Sequence, residues 1–216
     1  MQIVVIRHGE SEGNVAATLQ GCRLDLPLSP RGLRQAEMLA VRLAGENVDQ
    51  VFSSPMVRAR ATAEVVAAPH GVPLVLDPSM VEFDWGEWTG RPLDEEMEGR
   101  VAELRARWRT GDTRVTAPGG ESPEQAAERA RGALARIRAS GARAPVVVAH
   151  GRFNRVLMSV LLGRPLSRMD DIKQRNGSLS LFTWDGIAPA TPVLLDDIDH
   201  LPEELRVLVG GSDSVK

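Results

Sequence analysis

The chain has 216 residues, 43% hydrophobic and 25% charged, long enough to bury a substantial core as one domain spanning 1–216. Its net charge of −3 argues against general attraction to nucleic acid or membrane, so an anionic ligand would need a local cluster of arginines. Cys22 is the one cysteine, which excludes an intramolecular disulfide and a CxxC metal site and fits a reducing, cytoplasmic compartment. The opening MQIVVI is apolar for only five residues before Arg7, too short for a signal peptide or membrane span. Lysine occurs only at Lys173 and Lys216. Arginine suits forked contacts with phosphate oxygens, but a genome-wide codon bias explains the overall count better.

In chain order, Gln2–Ile6 is a wholly apolar, β-branched run, the pattern of a strand buried on both faces. Ser29-Pro30 opens a helix with Leu33, Ala36, Leu39, Ala40 and Leu43 on one face and Gly45 as its stop. Val51-Phe52 reads as a second strand, followed by Ser54 as cap and Pro55 as first residue of a helix to about Ala68. Pro73–Leu76 is a third strand. Residues 83–117 hold Trp85, Trp88 and Trp108 and a charged helix from about Leu93 to Arg109, which reads as a helical insertion over the sheet's edge, not a separate domain. Ser122-Pro123-Glu124-Gln125 has the spacing of a capping box and starts another helix. Ala144–Ala149 is the strongest strand, Phe153–Leu162 suits a helix, Ser178–Trp184 and Pro192–Leu195 are late strands, and Gly210–Lys216 reads as a frayed end. Strands alternating with helices predict an α/β fold with a mostly parallel sheet covered on both faces.

Two of the four histidines share a setting. His8 (IVVIRHGE) and His150 (VVVAHGR) each end an apolar strand, precede a glycine and lead toward a helix, and ligands of open α/β sheets sit beyond the carboxyl ends of strands. A lone buried histidine is usually structural; the matched pair is what points to function. His70 and His200 lack the setting, and His70 reads as a surface loop residue. Arg7, beside His8, needs an anion if buried. Arg58 falls in the opening turns of its helix, near free N–H groups and the positive end of the dipole. Taken alone, it would pair with a surface carboxylate such as Glu64. Glu82 heads the segment EFDWGEWTG; taken alone, it is a solvated loop charge.

Together, RHGESEGN, SSPMVRARATA, EFDWGEWTG, GGES and VVAHGRFNR, in this order, resemble the histidine phosphatase (phosphoglycerate-mutase-like) superfamily. The resemblance runs from Ile3 to about Leu201; LSPRGLRQAE and NGSLS also match, and DDIDHL is a looser echo. It implies a three-layer α/β/α sandwich with His8 as nucleophile, Glu82 as proton donor, and Arg7, Arg58 and His150 around the phosphate. Asn14 and Gly151 are implied substrate contacts. Gly13 stands where mutases of the family often have tryptophan, a change that would open the pocket.

Phosphoryl transfer needs an in-line nucleophile and stabilisation of charge on the equatorial oxygens. Neutral imidazole is a competent nucleophile, and a hydrogen bond from its other nitrogen to a main-chain carbonyl would fix the tautomer. Glu82 would protonate the leaving oxygen, then activate water; Phe83 and Trp85 beside it would favour the protonated acid it needs to be. The arginines take the part a metal plays elsewhere, so neither metal nor organic cofactor is expected, and the ligand is a small-molecule phosphomonoester. Nucleic acid and membrane are not expected partners; a homodimer stays open.

The nearest rival is a phosphoglycerate mutase, but enzymes of that kind usually carry a longer, proline-rich insertion between the acid and GES, and here the span from Glu82 to Glu121 is short. A non-catalytic phospho-ligand binding module would lack the nucleophile or the acid. A dinucleotide-binding fold is disfavoured because GxGxxG is absent after the first strand. Trp85, Trp88, Arg100, Arg105 and Arg107 could select substrates from a roof over the pocket, although pairing of these arginines with Glu96, Glu98 and Glu103 on a solvated helix face is the simpler reading.

Overall fold

The computed structural model describes residues 1–206, so the expected frayed end at Gly210–Lys216 lies outside the described residues. Six strands form one sheet: β1 (Gln2–Arg7), β2 (Gln50–Ser53), β3 (Leu74–Leu76), β4 (Pro145–Ala149), β5 (Leu179–Thr183) and β6 (Thr191–Asp197), in the order β3-β2-β4-β1-β5-β6. The pairs β2–β3, β2–β4 and β1–β4 are parallel, while β5 and β6 add antiparallel to the β1 side. Each strand expected from the sequence forms, with ends moved by one or two residues.

Side-chain alternation along these strands builds two cores. Ile3, Val5, Val147 and Ala149 face one way, toward α5 (Pro123–Ala139) and α6 (Gly151–Leu161). Ile6, Val146 and Val148 face the other, toward α2 (Pro30–Leu43) and α3 (Val57–Ala67). Burial on both faces explains why β1 and β4 read as unbroken apolar runs, and the result is a three-layer α/β/α sandwich. The charged helix α4 (Glu95–Arg109), capped by Asp94, joins the core on the α5–α6 side through Met97, Val101, Leu104 and Trp108. No helix among the described residues is long and apolar enough to cross a membrane.

Two local expectations change. Helix α2 is capped by Ser29 as expected, but Leu33 is 46% exposed while Gly32 and Gln35 are buried. The cause is main-chain contact: Gly32 lies against the loop after β1, where a Cβ on it would collide with the carbonyl of Glu10 and a Cβ on Gly9 would collide with the carbonyl of Gly32. That contact turns the helix so Leu33 points outward. Helix α3 starts at Val57 with Met56 as its cap residue and no side-chain cap, so Ser54 is not the cap and Pro55 is not helical.

Because neither carbonyl can retreat, Gly32→Ala should lower stability by about 3 kcal/mol, equivalent to roughly 6–12 °C in melting temperature for a chain of this size. A thermal melt within 2 °C of the unsubstituted protein would show that the close approach of α2 to the β1 loop is wrong.

Candidate active site

The site is assembled by strand register. Arg7 on β1 is opposite Ala149 on β4, and Ser53 on β2 is opposite Val148. The next residues, His8, His150 and Ser54, therefore emerge together at the carboxyl ends of three adjacent parallel strands. The rings of His8 and His150 lie 5.1 Å apart, edge to face. His150 Nε2 meets Ser54 Oγ at 2.8 Å, and the same hydroxyl accepts from the N–H of Met56 at 3.3 Å.

His8 is almost fully buried, and its Nδ1 is 2.6 Å from the carbonyl oxygen of Gly9. A carbonyl only accepts, so Nδ1 carries the proton and Nε2 keeps its lone pair. Burial first, then the cations Arg58 and Arg7, pushes the His8 pKa well below its ordinary value; His150 is lowered likewise by burial, Arg58 and His8. Both are neutral imidazoles near pH 7. Two contacts hold the loop around His8: Gly9 N–H donates to Thr62 Oγ1, and Asn176 Nδ2 donates to the His8 carbonyl.

Arg7, His8, Asn14, Arg58, Glu82 and Arg152 share the wall of one cavity of about 30 Å³, space for about two waters. Arg7 donates from Nη1 to the Gln174 carbonyl, and Gly151 lets it settle there, since a Cβ would come within 3.1 Å of Arg7 Nε. His150 and Gly151 join the group through His8 and Arg7 and are not part of the cavity wall. Arg58 is the second residue of α3, yet the N–H of Val57 at that helix start is taken by both carboxylate oxygens of Asp25, each at 3.0 Å. Arg58 itself donates to the carbonyls of Gly21 (3.0 Å) and Leu24 (3.2 Å) and pairs with Asp25; Glu64 pairs with Arg60 instead. Asn14 sits in a one-turn helix, α1 (Glu12–Val15), missed in the sequence, with its Oδ1 held by Ser11 and Asn176.

Glu82 is half-buried, and its carboxylate accepts main-chain N–H bonds from Phe83 (2.8 Å), Phe153 (2.9 Å) and Arg152 (3.3 Å). It thus caps α6, whose own cap residue, His150, supplies no side-chain cap. Phe83 and Trp85, expected as apolar neighbours, pack into the core. Glu121 of the GGES block accepts from Asp84 N–H and pairs with Arg129, which also donates to the carbonyls of Ser79 and Val81, fixing the chain on both sides of Glu82.

Of the residues considered for substrate selection, Trp85 alone reaches this cavity; Trp88, Arg100 and Arg107 line a different one of about 570 Å³. Arg100 pairs with Glu96 as expected, Arg107 with Asp112, and Arg105 turns inward to Asp170. His70 is half-buried rather than a free surface residue. Arg152 was missed in the sequence, although the rule applied to Arg7, that a buried guanidinium needs an anion, applies to it equally.

Two neutral histidines amid guanidinium groups at the ends of parallel strands define the phosphoryl-handling class that the motifs suggested. The chain belongs to the histidine phosphatase superfamily (branch 1), whose sequence profile it matches over residues 3–196. It is 34% identical to phosphoserine phosphatase 1 of Hydrogenobacter thermophilus, over 84% of this chain and 86% of that protein. It is 32% identical to the probable phosphoglycerate mutase GpmB of Yersinia pestis, with 83% of each covered. Among solved structures it resembles a mycobacterial glucosyl-3-phosphoglycerate phosphatase, with a TM-score of 0.80 and 28% identity over 90% of this chain and 98% of that one.

The lowered histidines set a pH dependence of stability. Unfolded, each imidazole binds a proton near pH 6.5; folded, it stays neutral well below that. The unfolded state therefore binds more protons as pH falls below 6.5, and stability is lost in that direction, by up to about 1.4 kcal/mol per pH unit for each ring. Urea midpoints should fall from pH 7.5 to 5.5, and His8→Asn should flatten the slope. An unchanged slope in that variant would show that His8 is not held neutral.

Proposed function

We propose that this protein is a phosphomonoesterase acting on a small phosphorylated metabolite through a phosphohistidine intermediate on His8. The observation that carries the reading is the Nδ1–Gly9 carbonyl bond, which leaves Nε2 as a lone pair in a cavity walled by Arg7, Arg58 and Glu82.

In the first step the Nε2 lone pair attacks phosphorus while the bond to the alcohol oxygen breaks, and Glu82 passes its proton to that oxygen. Arg7 and Arg58 stabilise the charge on the equatorial oxygens from the buried wall of the cavity. His150 orders the pocket beside His8, bonded in turn to Ser54. In the second step Glu82, now a carboxylate, takes a proton from water as that water attacks phosphorus; the P–N bond breaks, its electron pair returns to Nε2, and phosphate leaves. Asn14 is assigned to substrate contact from its place in the cavity wall, and Gly151 to seating Arg7. Relatives named as phosphoserine and glucosyl-3-phosphoglycerate phosphatases support hydrolysis of a small phosphorylated metabolite. The mutase-named relative keeps phosphoryl return to substrate as the second reading. Phosphate release measured against isomerisation of 3-phosphoglycerate, with and without bisphosphoglycerate, separates the two.

His8→Ala should reduce p-nitrophenyl phosphate turnover by roughly a thousandfold or more, and rapid quench of the unsubstituted protein should trap acid-labile, base-stable phosphate on His8. Label on serine or cysteine would refute the assignment. Glu82→Gln should slow the phosphoryl-transfer step to His8, read in single-turnover experiments, by about 100-fold for alkyl phosphates and by about tenfold or less for p-nitrophenyl phosphate, because only the poor leaving group needs the proton in that step. Equal losses on both would remove Glu82 from the acid role.

A further inference from the structure

The cavity holds a guanidinium that the two steps above do not use. Arg152 is 1% exposed and forms part of the wall with His8, Arg58 and Glu82. Its Nη1 is committed to Asp170, while Nε and Nη2, both buried, have no hydrogen-bond partner among the described residues. Nε–H and one Nη2–H lie on the same edge of the planar group and point the same way, the fork that accepts the two oxygens of a carboxylate. Two buried donors of a cation are unfavourable unless an anion satisfies them.

The surroundings hold the fork in place without neutralising it. The indole rings of Trp85 and Trp108 each have their centres 5.7 Å from the Arg152 guanidinium carbon, fixing its plane. Asp170 is shared: Arg105 binds its other oxygen at 2.8 Å and Arg155 lies 3.7 Å away, so one carboxylate faces three guanidinium groups and the cluster stays cationic. Position gives the side of the substrate that is read. The Arg152 main-chain N–H is bonded to the carboxylate of Glu82, the residue assigned to protonate the leaving oxygen, and its side chain lines the cavity beside Glu82 and Trp85.

We propose that Arg152 is a specificity-determining residue that binds a carboxylate on the alcohol part of the substrate, so that the preferred substrates are phosphomonoesters of hydroxy acids. This rests on the hydrolytic reading and narrows it. A second phosphoryl group would engage the same edge through two of its three oxygens, and a higher kcat/KM for a diol bisphosphate than for the carboxylated phosphomonoesters would overturn the carboxylate assignment.

The test is a matched pair, O-phosphoserine against O-phosphoethanolamine, which differ only in the carboxylate. The unsubstituted protein should favour phosphoserine in kcat/KM by on the order of 100-fold, and 3-phosphoglycerate over glycerol 3-phosphate in the same sense. Arg152→Gln should bring each ratio below about tenfold, with the loss falling on the carboxylated member and mainly in KM. Equal treatment of both members by the unsubstituted protein, or an equal loss on both in Arg152→Gln, overturns the inference. If Arg152→Gln melts early, the unsubstituted protein's two ratios decide alone. Turnover of p-nitrophenyl phosphate without the carboxylate preference would defeat this inference only; absence of turnover together with absence of phosphohistidine would defeat the hydrolytic reading itself.

Discussion

Main-chain pairing among β2, β4 and β1 is the constraint on which the site depends. Because the three strands are parallel and in register at their carboxyl ends, the residues that follow them leave the sheet side by side: Ser54, His150 and His8. A one-residue slip in either pairing would turn every side chain of that strand to the opposite face, exchanging the partners of two separate cores. The hydrophobic layers thereby protect the spacing of the two imidazoles. Ring geometry is then refined locally by the Gly9 carbonyl on His8 and the Ser54 hydroxyl on His150.

The second constraint is electrostatic. Arg7, Arg58 and Arg152 are each at least nine-tenths buried, and isolated charges in such a setting would be strongly destabilising. Main-chain carbonyls of Gly21, Leu24 and Gln174 and the carboxylate of Asp25 meet that need for Arg7 and Arg58, while Asp170 meets it for one end of Arg152 only. Arg58 binds the Gly21–Asp25 loop through the Gly21 and Leu24 carbonyls and Asp25. The cavity that the three arginines line measures about 30 Å³. Gln20 and Gly21 line the cavity from the same loop.

Glu82 ties these parts together. By capping α6 it bonds to the helix that begins immediately after His150, and by lining the cavity it faces Arg58 and His8. Arg129 and Glu121 hold the chain before and after it. Glu82, His8, His150, Arg7 and Arg152 therefore share one support, the start of α6 and the strand ends beneath it, while Arg58 approaches from α3.

Strands, helices and the paired histidines were legible in the sequence because each depends on near neighbours. An apolar run buried on both faces, a Ser-Pro or Ser-x-x-Gln start and a histidine-glycine after a strand are all local statements of chemistry. The amino-acid order alone thus determined the α/β layering and singled out His8, His150 and Arg7, while Arg58 and Glu82, each reading alone as an ordinary surface charge, were nominated by the family resemblance. Only the tertiary structure decided who occupies whose surface. Asp25, not a ligand, sits at the start of α3; Glu82 caps a helix far along the chain; Gly32 meeting Glu10 turns Leu33 to solvent; and Asp170 with Trp85 and Trp108 makes Arg152 a fixed fork. These are contacts between residues distant in the chain, set by how the layers close on one another, and no local pattern encodes which partner a buried charge will find.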